Sequence, residues 1–94
     1  MSIPVYMLAR VPGAADPVEW TSICRQRHPF VVIDYHPYRW LSRWRTAERK
    51  CRFIVSYCNG KGHLRVPREV SSHQTLAAAE KAARRLVTNR SNRD

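Results

Sequence analysis

The residues best suited to molecular recognition lie between Tyr38 and Arg52, where arginines, one lysine and two tryptophans are accompanied by a single acid, Glu48. A structural run of charges normally alternates in sign, because opposite charges at helical or cross-strand spacing attract and like charges repel. Here the repulsion is uncompensated within the segment. Aromatic and basic side chains together can stack on bases and neutralise phosphates, or anchor a protein interface. We therefore predict a binding surface made of Arg39, Trp40, Arg43, Trp44, Arg45, Lys50, Arg52, Lys61 and Arg65.

A structural interpretation of the same segment stays open. Trp40 and Trp44 are large apolar side chains that protein cores use freely, and the arginines would then form the solvated side of the element. The spacing of the two tryptophans suits one face of a short helix, whereas the alternation of Arg43, Trp44 and Arg45 suits a strand. We expect an irregular or single-turn helical crossover that leads into the next strand.

The composition indicates a polyanionic partner. Seventeen Lys and Arg residues against seven Asp and Glu give a net charge of +10. Such an excess destabilises the compact state by self-repulsion, and most of it is arginine, whose forked donors fit phosphate and carboxylate. Nucleic acid is the first predicted partner and an acidic protein surface the second. No basic cluster adjoins an apolar run, which argues against an anionic membrane, and nothing indicates a small-molecule substrate.

Four side chains have the chemistry of zinc ligands. Cys24 and His28 lie four residues apart, and Cys58 is followed by His63 across a glycine-rich turn. Together these residues could form a tetrahedral site, so a small zinc-binding domain is an alternative. The further cysteines that a zinc knuckle would place beside this turn are missing from the sequence. Buried thiols and a histidine at a hairpin tip are the simpler interpretation, and we predict no metal or other cofactor.

The sequence does not indicate catalysis. A cysteine near His28, His36 or His73 would permit nucleophilic chemistry, but no local feature favours a thiolate or an oxyanion. The glycines near residue 60 belong to a predicted hairpin and not to a phosphate-binding loop. Asp34 stands alone in an apolar strand, where it either pairs with an arginine or faces solvent. We therefore predict that the protein is not an enzyme.

The first part of the chain predicts a strand, a helix and a second strand. Ile3 to Val11 has strand-like alternation. Asp16 at the N-cap and Glu19 three residues later predict a helix from about Pro17 to Arg27, with proline at its first position. Trp20, Ile23 and Cys24, at spacings of three and four, would form its apolar stripe. Phe30 to His36 is β-branched and aromatic, and its first half is apolar on both faces. We expect this second strand to lie inside the sheet.

The second part of the chain predicts a hairpin. Cys51 to Tyr57 alternates as a strand with one face on a core. Asn59 to Gly62 contains the Asn-Gly pair that tight hairpins favour. His63 to Val66 is the predicted return strand, and Pro67 limits it and suggests an edge position. A polar loop is expected from Ser71 to Gln74.

A final helix is predicted from Leu76 to about Thr88, with Thr75 as its cap. Apolar residues share one face at helical spacing, and basic residues lie on the other. The inward residues are Leu76, Ala79, Ala83, Leu86 and Val87, and the outward ones are Lys81, Arg84 and Arg85.

The fold class that follows is α+β. We expect a small antiparallel sheet of about four strands with two helices on one face, in the order β-α-β-β-β-α. Residues 1–88 would form a single domain, and residues 89–94 a frayed polar tail.

Residues 52–86 resemble the strand-hairpin-strand-helix unit of AP2-like and phage-integrase arm-type DNA-binding domains. The shared features are an aromatic and β-branched strand, an Asn-Gly-Lys turn, a basic return strand and a Thr-capped alanine helix, in that order. The resemblance implies that an exposed sheet face enters the major groove through Arg52, Ser56, Lys61, His63 and Arg65. The order of elements from Pro17 onward is also similar to double-stranded-RNA-binding domains, although the basic motif of their second helix is missing here.

The small size, high arginine content and layout are similar to phage-encoded accessory proteins, among them anti-CRISPR inhibitors. This similarity implies an alternative function, in which the basic surface binds an acidic face of a host defence or nucleoprotein complex. The first hypothesis remains a basic module that binds nucleic acid. The N-terminal residues lack the features of a secretory signal, and the cysteine count is odd, so we expect a cytoplasmic protein with reduced thiols.

Overall fold

The computed structural model describes residues 3–23, 25–37, 52–59 and 68–93, which form a four-stranded sheet and two helices. The predicted α+β class and the order β-α-β-β-β-α are confirmed. The elements are β1 (Val5–Met7), α1 (Trp20–Ile23), β2 (Phe30–Tyr35), β3 (Phe53–Cys58), β4 (Arg68–His73) and α2 (Leu76–Arg93).

The sheet is mixed, although most of its pairing is antiparallel. Its strands lie in the order β1-β2-β3-β4. β2 and β3 are antiparallel along their whole length, as are β3 and β4 apart from a bulge between Val55 and Ser56. β1 is parallel to β2, with Val5 opposite Val31 and Met7 opposite Ile33. A parallel pair needs a crossover connection, and the long segment that contains α1 provides it.

β2 is the centre of the core, as its composition predicts. Phe30, Val31, Val32 and Ile33 are all buried, so both faces of this strand are covered. α2 packs on the face of Val31 and Ile33, where Ala79 and Ala83 are at most 1 % exposed. Their small side chains allow the helix backbone to approach the sheet closely. The opposite face of the sheet, on the side of Phe30 and Val32, we call the crossover face.

The segment between β1 and β2 covers part of the crossover face. Ile23 of α1 is 1 % exposed and belongs to the same core cluster as Phe30. The Tyr6 ring contacts the Phe30 ring edge-on at 5.8 Å, and the Tyr6 hydroxyl donates a hydrogen bond to Gln26. The two helical segments therefore lie on opposite sides of the sheet. The expectation that both would pack on one face is wrong.

The prediction of a helix from Pro17 to Arg27 is wrong at both ends, because α1 spans only Trp20–Ile23. Asp16 has a left-handed φ of 49° and does not cap a helix. Val18 is extended instead: its amide donates to Met7 and its carbonyl accepts from Ala9, forming a parallel bridge along the outer edge of β1. α1 begins only at Trp20. Two backbone hydrogen bonds to β1 therefore outweigh a local capping pattern, because they satisfy polar groups at an otherwise open strand edge.

The prediction of a polar loop from Ser71 to Gln74 is also wrong for most of its length. Ser71, Ser72 and His73 belong to β4 and pair with β3. Backbone pairing does not require apolar side chains, and at an edge strand polar residues are common. The predicted return strand His63–Val66 lies outside the described residues.

α2 matches its predicted start and faces but runs further. The Ala78 amide donates to the Thr75 hydroxyl at 3.2 Å, which confirms Thr75 as the N-cap. The helix continues through residues 89–93, where we expected a frayed tail, and ends at Arg93. Arg90 favours this extension, because arginine is a good helix former and the macrodipole favours positive charge near a helix C-terminus.

Candidate functional site

Only one residue of the predicted Arg/Trp surface lies in the described part of the chain. Arg39, Trp40, Arg43, Trp44, Arg45, Lys50, Lys61 and Arg65 lie outside it. Arg52 immediately precedes β3, and its carbonyl accepts a hydrogen bond from the His36 amide at 2.8 Å. The Nε atom of Arg52 is buried and has no hydrogen-bond partner among the described residues.

The crossover face is only partly the open sheet face that the DNA-binding resemblance implies. By strand alternation Arg52 and Ser56 lie on this face, away from α2, because Val55 and Tyr57 point toward the helix. Ile54 lies between them and is only 3 % exposed. This part of the sheet is therefore covered at its centre, whereas a groove-reading sheet face would be open there.

The exposed face of α2 carries unpaired positive charge. Lys81, Arg84 and Arg85 are all exposed. Arg84 lies 4.0 Å from Glu80, one turn earlier. Lys81 and Arg85 are also one turn apart, and no described carboxylate pairs with either of them. Two like charges at this spacing destabilise an isolated helix slightly, so nothing in the fold itself calls for them.

Arg90 has a structural explanation and is not part of that unpaired group. Its guanidinium carbon lies 4.7 Å from the centroid of the Tyr57 ring, which is a cation–π contact between α2 and β3. The charge also lies in the last turns of α2, where the macrodipole favours it. Lys81 and Arg85 have neither explanation.

A second group of charged side chains surrounds Asp34 on the crossover face. Arg10 donates from Nε to Oδ1 at 2.6 Å and from Nη2 to Oδ2 at 2.5 Å. The Tyr35 amide donates to Oδ1 at 2.7 Å, and His36 Nε2 lies 3.1 Å from Oδ2. The sequence left two alternatives for Asp34, and the structure selects the pairing with an arginine.

These contacts keep Asp34 ionised. Burial by itself would raise the pKa of Asp34, but the hydrogen bonds from Arg10 and the Tyr35 amide outweigh burial, with smaller help from the nearby charges, and lower that pKa below its usual value. The hydrogen bond to Asp34 likewise raises the pKa of Arg10. Arg10 is therefore a fixed cation whose position is set by Asp34.

A cleft of about 450 Å³ opens beside this pair. Its wall includes the end of β1, the start of α1 and the end of β2. The lining residues are Leu8, Ala9, Arg10, Glu19, Trp20 and Asp34. Trp20 is 45 % exposed, which is unusual for so large an apolar side chain, and the Arg10 side chain is 59 % exposed. The cleft is thus lined by one large aromatic residue, a fixed guanidinium and two acidic residues, Glu19 and Asp34.

Sequence reasoning assigned Trp20 to the core stripe of a helix and did not single out Arg10. Trp20 is instead the first residue of α1 and 45 % exposed, whereas Ile23 of the same helix is buried. Arg10 gave no local signal, since its partner lies 24 residues away and the parallel pairing of β1 with β2 brings the two together.

The zinc hypothesis is not tested by the described residues. Cys24 and His63 lie outside them, His28 stacks on Phe30 with ring centroids 5.2 Å apart, and Cys58 is buried. Among the described side chains no three His, Cys, Asp or Glu residues gather closely enough to hold a metal ion. No helix in the described ranges combines the length and apolarity that a membrane span requires.

Comparison of the chain with protein-family models, with curated proteins and with solved structures found no significant match.

Proposed function

We propose that the protein is a small basic module that binds nucleic acid through phosphate contacts and has no catalytic role of its own. The observation that carries this proposal is the pair of exposed cations Lys81 and Arg85 on the outer face of α2, which no described acid neutralises. A net charge of +10, most of it arginine, supports it. The arginines and tryptophans of residues 39–50, which the sequence predicts to be binding residues, would make further contacts with the nucleic acid. This role places the protein in the cytoplasm of the cell that makes it, where nucleic acid is accessible.

Phosphate contacts explain why like charges are kept together on a helix. Each cation placed against a phosphate releases condensed counterions from the nucleic acid, and this release favours binding. The repulsion between Lys81 and Arg85 costs only a few tenths of a kcal/mol, roughly, in the free protein. Binding therefore more than offsets the repulsion.

A salt titration with a fluorescent DNA duplex tests the proposal. With about six phosphate contacts, the logarithm of the association constant should fall with the logarithm of salt concentration at a slope near −5. The double variant Lys81→Ala/Arg85→Ala should bind more weakly and reduce the slope by about 2.

The matched control is Arg25→Ala/Arg27→Ala, which removes the same charge from two exposed positions before β2. We expect a smaller loss of affinity in this control than in the α2 variant. The proposal is wrong if the salt response is flat, or if the protein binds neither the duplex nor either of its separated strands. A stable complex with an acidic host protein in a nuclease-treated lysate would then favour the alternative inhibitor function.

A further inference from the structure

We propose that the cleft beside Arg10 and Asp34 binds one unpaired nucleotide, with the base stacked on Trp20 and the phosphate on Arg10. This inference rests on the proposed function and specifies its substrate: a strand with accessible bases, rather than a fully paired duplex. Three features of the cleft support it.

The first feature is a preorganised cation. Arg10 uses its Nε donor and one Nη2 donor on Asp34. A guanidinium has five N–H donors in a fixed plane, so three remain for a ligand. Because Asp34 holds the plane in place, little side-chain entropy is lost when those donors meet a phosphate. An exposed arginine that no carboxylate holds in place would lose more side-chain entropy on binding the same phosphate.

The second feature is the aromatic wall. Trp20 is 45 % exposed and lines the same cleft as Arg10. An exposed indole next to a cation is the combination that single-strand-binding surfaces use, because every base has a π-face to stack. In a duplex the base faces are already stacked on their neighbours, so this wall favours an unpaired base.

The third feature is the acidic residue Glu19, which is exposed and lines the cleft. A carboxylate is an acceptor with two oxygens and repels a phosphate, so it favours the donor groups of a base. Guanine is the base that presents two adjacent donors, its ring N–H and its amino group, on its pairing edge. The cleft volume of about 450 Å³ lies within the range of about 300 to 1,000 Å³ that small ligands occupy. We therefore expect a preference for guanine over uracil or thymine.

The start of α2 lies at the same end of the sheet as the cleft, although on the opposite face. The cleft lies where β1 and β2 end, and β4 ends on the same side because Tyr35 is opposite Phe53 and Phe53 is opposite His73. α2 starts directly after β4, and Gly13, in the segment that follows β1, lies close to the first turn of α2, since a β-carbon at Gly13 would be 3.9 Å from Leu76 Cδ2. Lys81 therefore lies near the end of the sheet that holds the cleft.

Fluorescence anisotropy at one fixed salt concentration tests the inference with four probes: oligouridine, oligouridine with one central guanosine, the corresponding DNA strand, and a duplex of the same length. Trp20→Ala should weaken binding of the single strands by about tenfold or more and change duplex binding by less than about twofold. Glu19→Gln should reduce the preference for guanosine, measured as the ratio of the dissociation constants of oligouridine with and without the central guanosine.

Thr21→Ala is the matched control, since Thr21 is an exposed neighbour on the same helical turn. Thermal melts followed by circular dichroism verify that each variant is folded. A difference between the RNA and DNA arms identifies the strand type, and tight binding of either supports the inference. The inference is wrong if Trp20→Ala binds single strands as tightly as the wild type, even though the α2 double variant weakens every probe. If the wild-type protein binds none of the four probes, the proposed function is wrong as well.

Discussion

Arg10 and Asp34 are 24 residues apart in the sequence and joined by two parallel hydrogen bonds in the fold. Arg10 follows β1 and Asp34 lies near the end of β2. The pair therefore fastens the end of the short edge strand to the central strand, beyond the last backbone pair between them. It also fixes the guanidinium on the wall of the cleft, so one interaction serves the fold and the proposed site.

We expect the Arg10–Asp34 pair to stabilise the protein measurably. A double-mutant cycle with Arg10→Ala and Asp34→Ala, followed by urea unfolding, should give a coupling free energy of about 1 kcal/mol. This coupling free energy is at the upper end of the range for surface ion pairs because Arg10 makes two hydrogen bonds to Asp34. It should be no larger because the Arg10 side chain is 59 % exposed.

The Glu80–Arg84 pair offers a control on the same protein. Its atoms are 4.0 Å apart and the Arg84 side chain is 78 % exposed. The same cycle there should give about 0.5 kcal/mol or less. Equal coupling at the two sites would contradict the view that Asp34 anchors Arg10.

Stability should depend on pH through Asp34. The pKa of Asp34 is lower in the folded protein than in the unfolded chain, so the folded state binds fewer protons between these two values. The stabilisation is fully present above the unfolded pKa of about 4 and is lost as the pH falls through the folded pKa. The urea midpoints of the wild type and Asp34→Asn, measured from pH 6 to about pH 2, should converge toward the acid end. A constant difference over that range would show that Asp34 acts by packing and not by charge.

Close packing of α2 on the sheet should make its inner alanines intolerant of larger side chains. Ala79 is fully buried, whereas Ala78, one position earlier, is exposed. Ala79→Leu should destabilise the protein by about 1 to 3 kcal/mol, because the added carbons must push the helix from the sheet. Ala78→Leu adds the same atoms to the solvent side and should change the unfolding free energy by less than about 0.5 kcal/mol. Thermal or urea unfolding of the two variants distinguishes these outcomes, and similar losses would contradict the packing of α2 described above.

Regular periodicity made several elements predictable from the sequence. The continuous apolar run of Phe30 to Ile33 predicted that β2 lies inside the sheet. The alanine-rich stripe from Leu76 predicted which face of α2 is buried. Thr75 was identified as a cap because a hydroxyl before a helix has one evident use. Net charge and arginine content likewise follow from the sequence alone, and they motivate the search for a polyanionic partner.

Contacts between distant segments decided the rest. Val18 was predicted to be helical but forms a bridge beside β1, and Ser71 to His73 were predicted to be a loop but belong to β4. In both cases backbone groups at a strand edge gain hydrogen-bond partners. Arg10, Trp20 and Asp34 line one cleft because β1 runs parallel to β2 and the crossover returns along its outer edge. Local sequence patterns predict which segments form strands and helices. Which side chains come into contact depends on strand direction and register, and local patterns do not determine these.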